Sequence, residues 1–126
     1  MSKNTNKSGA TNYELGLYGQ KAAEKYLRAK GYKLLESNYD KIGAEIDLIM
    51  QDGTYIVFIE VKYRRDQSRG LPRESVTPRK QKQIKKAALY YITSKKLSEC
   101  DFRFDVTELL GEPGSLMINH IENAFW

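Results

Sequence analysis

The chain has a single cysteine, Cys100, among 126 residues. One thiol closes no internal disulfide and builds no cysteine-rich zinc site, so nothing points to an oxidising compartment. Long apolar runs are missing too: no stretch approaches the roughly 20 residues that span a bilayer. The opening segment MSKNTNKSGATN has lysines with no apolar stretch behind them, which excludes a secretory signal and reads as a loose tail over 1–12. Internal repeats and dividing linkers are also lacking. These absences predict a cytoplasmic protein with one domain over 13–126 and no membrane partner. Histidine is as scarce as cysteine. His120 stands alone in an alternating stretch and reads as a partly buried side chain, not a ligand.

Hydrophobic residues make up 40% of the chain, enough for one sheet with helices against it and too few for a second core. The net charge is +5, from 21 Lys and Arg against 16 Asp and Glu. That balance suits a polyanionic partner, because each cation placed near a phosphate releases condensed counterions. Charge alone selects no function, since many basic proteins bind no nucleic acid.

Apolar residues at three- and four-residue steps (Leu15, Tyr18, Ala22, Tyr26, Ala29) predict a helix from Tyr13 to about Lys30, with Gly31 as its C-terminal stop. Gly16, Gly19 and Ala23 form a small-residue stripe that lets this helix lie close to a sheet. Strands are predicted over Tyr32–Tyr39, Ala44–Met50 and Tyr55–Tyr63, the last two joined through Asp52-Gly53, a strong hairpin signal. A polar loop from Arg64 to Val76 follows. Thr77-Pro78 then has the form of an N-cap with proline at the first helical position, opening a helix to about Lys96. Phe102, Phe104 and Val106 alternate with polar residues as in a half-buried strand, and Leu116–Ile121 forms the last strand. The order α-β-β-β-α-β-β implies a single α/β domain with a mixed sheet.

The hairpin carries the chemistry. With Asp52 and Gly53 at its tip, Glu45 faces Glu60, Asp47 faces Phe58, and Gly43 faces Lys62. Period-two alternation then puts Glu45, Asp47, Glu60 and Lys62 on one face, with Ile46, Leu48, Val57, Ile59 and Val61 on the other. Two carboxylates about 6 Å apart repel by roughly 3 kcal/mol at an effective dielectric near 20, which a protein tolerates if protons, a nearby base or a cation compensates. Mg²⁺ or Mn²⁺ suits the site: hard ions take oxygen ligands, here Asp47, Glu60 and the Val61 carbonyl. Lys62 would orient or activate a water, giving metal-assisted phosphodiester hydrolysis. The bland alternative is an ordinary Glu–Lys cross-strand pair, with Asp47 capping a backbone amide. Glu-x-Lys alone arises by chance in many chains; Asp47 placed across a hairpin from Glu60-Val61-Lys62 is more specific.

These residues resemble those of a known family. Gly16-x-x-Gly19, Ala23, Tyr26-Leu27, Gly31-Tyr32, Asn38-Tyr39, Glu45-Ile46-Asp47-Leu48-Ile49, Phe58-Ile59-Glu60-Val61-Lys62 and Arg64 are similar to the YraN-type predicted endonucleases. The likeness continues through Val76-Thr77-Pro78-Arg79-Lys80-Gln81, Arg103-Phe104-Asp105-Val106 and Ile121-Glu122-Asn123-Ala124-Phe125. That family is related to archaeal Holliday-junction resolvases within the PD-(D/E)xK superfamily. The resemblance implies a restriction-endonuclease-like fold, Asp47 and Glu60 as metal ligands, and Lys62 as the catalytic lysine. It also implies action on branched or otherwise non-duplex DNA, and a homodimer, since two symmetric cuts need two sites. Two departures stand out. Gln20 replaces the family's glutamate after Gly19, with Glu24 one turn on as a substitute charge, and Ala44 replaces a common glycine.

Further cations are candidates for holding a phosphate backbone: Arg64, Arg65, Arg69 and Arg73 on the loop, and Arg79, Lys80 and Lys82 at the start of the second helix. A solvated helix face explains the latter group equally well; Lys80 is the one placed to approach the acids. Asp105 reads as structural, and the nine tyrosines as packing. The competing reading to an active nuclease is a nucleic-acid-binding module that keeps the fold without turnover.

Overall fold

A computed structural model describes residues 11–66, 68, 70 and 76–125. Thr11 opens the first helix, α1 (Asn12–Ala29). Its hydroxyl accepts from the Glu14 N–H at 3.1 Å while the Glu14 carboxylate accepts from the Thr11 N–H at 3.0 Å, a reciprocal cap. Gly31, at φ +99°, ends the helix where a side chain would be strained. Strands β1 (Lys33–Lys41), β2 (Ala44–Asp52) and β3 (Tyr55–Arg64) form a meander. Helix α2 (Pro78–Ser94) starts at the Thr77 cap and crosses over to β4 (Asp101–Leu110), which β5 (Met117–Phe125) follows.

The sheet runs β1-β2-β3-β4-β5, parallel only between β3 and β4 and antiparallel elsewhere. Helix α1 buries Ala23 and Leu27 against Leu48, Met50, Val57, Ile59 and Leu109. On the other side α2 buries Ile84, Ala87, Ala88, Tyr91 and Ile92 against Ile46, Ile49, Ile56, Phe58 and Phe104. This is a three-layer α/β/α domain in the predicted element order, with the mixed sheet of a nuclease-like fold. No helix of the described residues is long and apolar enough to cross a membrane.

Four sequence expectations need correction. The β2–β3 pairing is shifted by two residues: Asp52 faces Tyr55, so Gly53-Thr54 forms the loop. Only Gly53, at φ +61°, then has a positive φ, whereas an Asp52-Gly53 loop demands one from Asp52 as well. Strand β2 also changes facing. Ile46 joins the α2-side core while Leu48 joins the α1-side core, and the switch lies across from Asn38, which takes φ +52° between Ser37 (facing Leu48) and Tyr39 (facing Ile46). Strand β4 is buried on both faces, not one. Its polar members form a network in which Asp105 accepts from Arg103 at 3.1 Å, His120 at 2.7 Å and the Asn123 N–H at 3.1 Å, and Arg103 also reaches Asp52 and Tyr32. His120 is held between Lys30, 2.9 Å from its Nδ1, and Asp105, 2.7 Å from its Nε2, which gives it a structural role. Finally, β5 runs past Ile121, because after a bulge at Asn123 it resumes to stack Phe125 on Phe104.

Of the small-residue stripe, Gly19 touches the sheet: a Cβ there would lie 3.1 Å from the Tyr63 Cβ. Gly16 has no atom within 4 Å of that position and borders open space instead. The close approach at Gly19 brings the next residue, Gln20, to the sheet's end.

Candidate active site

The β2–β3 ladder ends at Leu48 opposite Ile59. Beyond it the strands part, and the Asp47 carboxylate fills the gap by accepting the Val61 N–H at 2.7 Å. A strand residue sends its N–H and C=O to the same edge, so the Val61 carbonyl faces this gap too. The acids do not share one face as expected. Glu45 lies toward α1, Glu60 toward α2, and Asp47 sits between them where the sheet opens.

Glu60 is 3% exposed. Its Oε2 takes both Lys62 Nζ and Lys80 Nζ, each at 3.1 Å, while its Oε1 is buried with no hydrogen-bond partner. Lys80 arrives from the first turn of α2, the approach expected for it. Burial pulls its pKa down, but the Glu60 charge and hydrogen bond, helped by Asp47 and Glu45, outweigh this and raise it. Asp47 is pushed the other way: burial, then repulsion from Glu60, raises its pKa to about 7, against the Val61 hydrogen bond and the Lys62 charge.

A cleft of about 760 Å³ opens over this gap. Gln20, Asn38, Glu45, Asp47, Val61 and Lys62 line its floor, Arg64 and Arg65 its rim, and Tyr13 and Leu17 the opposite lip. Tyr13 is 75% exposed, so the packing role assigned to the tyrosines does not extend to it. Arg64 has a buried Nε without a partner. Arg65 is held in a two-oxygen ion pair by Glu112, 2.7 Å at its shortest. Arg79 and Lys82 are exposed on α2, on no wall of the cleft, and Arg69 and Arg73 lie outside the described residues. Glu24 pairs with Arg28 at 2.9 Å and does not line the cleft, so it is no substitute for a charge at position 20.

Sequence reasoning missed Asn38 and Glu108. Asn38 bridges Gln20 and Glu45. Glu108 is buried on β4 beside Lys62 and accepts from Asn119 at 2.8 Å. A left-handed backbone at an asparagine is a weak sequence signal, and the Lys62–Glu108 pairing arises only through the crossover.

Among the described residues no set of three or more Asp, Glu, His or Cys side chains is disposed to hold a metal. The donor set that fits a hard divalent ion is therefore smaller: Asp47, the unpartnered Oε1 of Glu60 and the Val61 carbonyl, all oxygens.

Fold and site together define an α/β protein whose sheet splits at one end into an acid-floored, arginine-rimmed cleft. The chain belongs to the family described as Uncharacterised protein family UPF0102, the YraN family; its family model matches residues 19–109. A UPF0102 protein of Syntrophomonas wolfei is 48% identical over 114 residues, covering 90% of this chain and 99% of its own length. Another, from Trichlorobacter lovleyi, is 44% identical over 119 residues, covering 93% of this chain and 94% of its own. A third, from Thermodesulfovibrio yellowstonii, is 48% identical over 113 residues, covering 90% and 96%.

Proposed function

We propose that the protein is a divalent-metal-dependent endonuclease that hydrolyses phosphodiester bonds in DNA, with branched or otherwise non-duplex DNA as substrate. The observation that carries this reading is the orphaned Oε1 of buried Glu60 close to half-buried Asp47, whose carboxyl is pushed to a raised pKa by burial and by repulsion from Glu60. A hard cation relieves both at once. Asp47, Glu60 and the Val61 carbonyl would hold it, and bound Mg²⁺ or Mn²⁺ would supply Lewis-acid activation of the phosphoryl group and the attacking water. Lys62 stands beside Glu60 to orient that water, Glu45 adds negative charge at the cleft floor, and Gln20 acts indirectly through Asn38. Arg64 and Arg65 at the rim, with Arg79 and Lys82 farther along α2, would hold the backbone phosphates. Paired cuts across a branch call for two such sites, so the working unit is a homodimer in the cytoplasm.

One observation favours a second reading. Lys62 and Lys80 both engage Glu60 and so supply the positive charge an ion would bring, as in a DNA-binding module without turnover. Cleavage assays on four-way junction, flap, single-stranded and duplex DNA, with and without Mn²⁺ or Mg²⁺, separate the two. The nuclease reading expects metal-dependent cutting that is lost in Asp47→Ala, Glu60→Ala and Lys62→Ala. Tight, salt-sensitive binding with no cutting under any metal would establish the module instead.

A further inference from the structure

Asn38 holds an unusual position. It takes φ +52°, a conformation that asparagine tolerates better than most residues, at the point where β2 changes facing. Its amide is fully engaged on the cleft floor. Nδ2 donates to Glu45 Oε2 at 2.9 Å and to Gln20 Oε1 at 3.2 Å, and Oδ1 accepts from Gln20 Nε2 at 2.9 Å. The orientation of both amides follows from chemistry. A carboxylate only accepts, so Nδ2 must face Glu45; that leaves Oδ1 for the Gln20 amide N–H and fixes Gln20 in turn. The Glu45 carboxylate, Asn38 and Gln20 thus form a three-residue chain that is anchored in α1.

Glu45 is exposed and otherwise free to swing into solvent. Held by Asn38, it stays on the cleft floor that it lines together with Asp47. We infer that Asn38, clamped by Gln20, is a positioning residue that fixes Glu45 as a standing negative charge beside the ion-binding carboxylates. The inference rests on the metal-dependent reading above, and it gives position 20 a role that needs no charge. Groups that hold or orient a metal's surroundings without binding it typically contribute 10- to 100-fold in affinity.

The test is Mn²⁺ binding to the full chain, followed calorimetrically or by electron paramagnetic resonance at pH 7.5, with cleavage as a second readout. Asn38→Gly keeps the backbone conformation and removes the amide; it should raise the Mn²⁺ Kd about 10-fold. Gln20→Ala, which leaves Asn38 in place but unclamped, should raise it about 3-fold, and it serves if the glycine variant fails to fold. In a Glu45→Gln background, Asn38→Gly should add nothing further, because there is no charge left to position. Wild-type affinity in both single variants, or an undiminished effect of Asn38→Gly in the Glu45→Gln background, would overturn the inference while the nuclease reading stands. A wild-type chain that binds no Mn²⁺ and cuts no DNA would take down both.

Discussion

Replacing Asp47 by asparagine should stabilise the metal-free protein at pH 8. The carboxyl pKa rises from 3.8 to about 7 on folding. Between these values the folded chain keeps a proton that the unfolded chain has released, so stability is fully present below about pH 4 and falls as pH rises to about 7. A tenfold change in proton affinity is worth about 1.4 kcal/mol, and folding changes it here roughly a thousandfold, so the ionised side chain costs the fold about 4 kcal/mol at pH 8. Asparagine carries no charge to bury and none to oppose Glu60, and its side-chain oxygen still accepts the Val61 N–H. Urea melts in EDTA should show Asp47→Asn ahead of wild type by about 2–4 kcal/mol at pH 8, roughly 10 °C in Tm, with the gap closing toward pH 5. Ionisable groups remote from Asp47 are common to both proteins and cancel in the comparison. Adding Mn²⁺ should then narrow the gap at pH 8, because the ion stabilises only the form that binds it. A pH-independent difference, or a variant less stable than wild type at pH 8, would refute the idea that Asp47 is held against its own charge.

Other outcomes follow from single contacts. Gly16→Ala should stabilise α1 by about 0.5–1 kcal/mol, since the new methyl meets no atom. Gly19→Ala should instead cost about 1–2 kcal/mol by pressing on Tyr63; equal urea midpoints for the two would show that the helix is not closely seated. Lys80→Met removes one of two ammonium groups from Glu60, so Mn²⁺ affinity should rise several-fold in calorimetric titrations. Unchanged Mn²⁺ titrations would mean that Lys80 does not compete for the carboxylate. Asp105→Ala strips Arg103 and His120 of a buried partner and should cost about 3–5 kcal/mol, read by thermal melts, with metal affinity intact in the chain that remains folded.

Much of this architecture was legible in the sequence because its signals are local. Thr77-Pro78 capped α2 as expected, Gly31 closed α1, and two β-rich runs around one glycine formed a hairpin. The two-residue slip of that hairpin was not legible, because either loop gives Gly53 its positive φ and the strands themselves carry no other mark of register. It left Asp47 and Glu60 as neighbours, since a shift of two keeps the period-two alternation. The change of facing at Asn38 broke that alternation and moved Glu45 to the α1 side; its signal is a backbone angle, not a residue pattern. Strand β4 mimicked a half-exposed strand because the partners of Arg103 and Asp105 (Tyr32, Asp52 and His120) are remote in sequence.

The charges inside β4 have a consequence for the opposite end of the sheet. Strands β3 and β4 pair in parallel without a bulge, from Tyr55 beside Asp101 to Arg64 beside Leu110. Sliding β4 by one residue would turn Arg103 and Asp105 toward the wrong helix and strand both ions in apolar packing. These ions act as a detent: they admit one alignment, and through it they set where Glu60 and Lys62 stand relative to everything β4 carries.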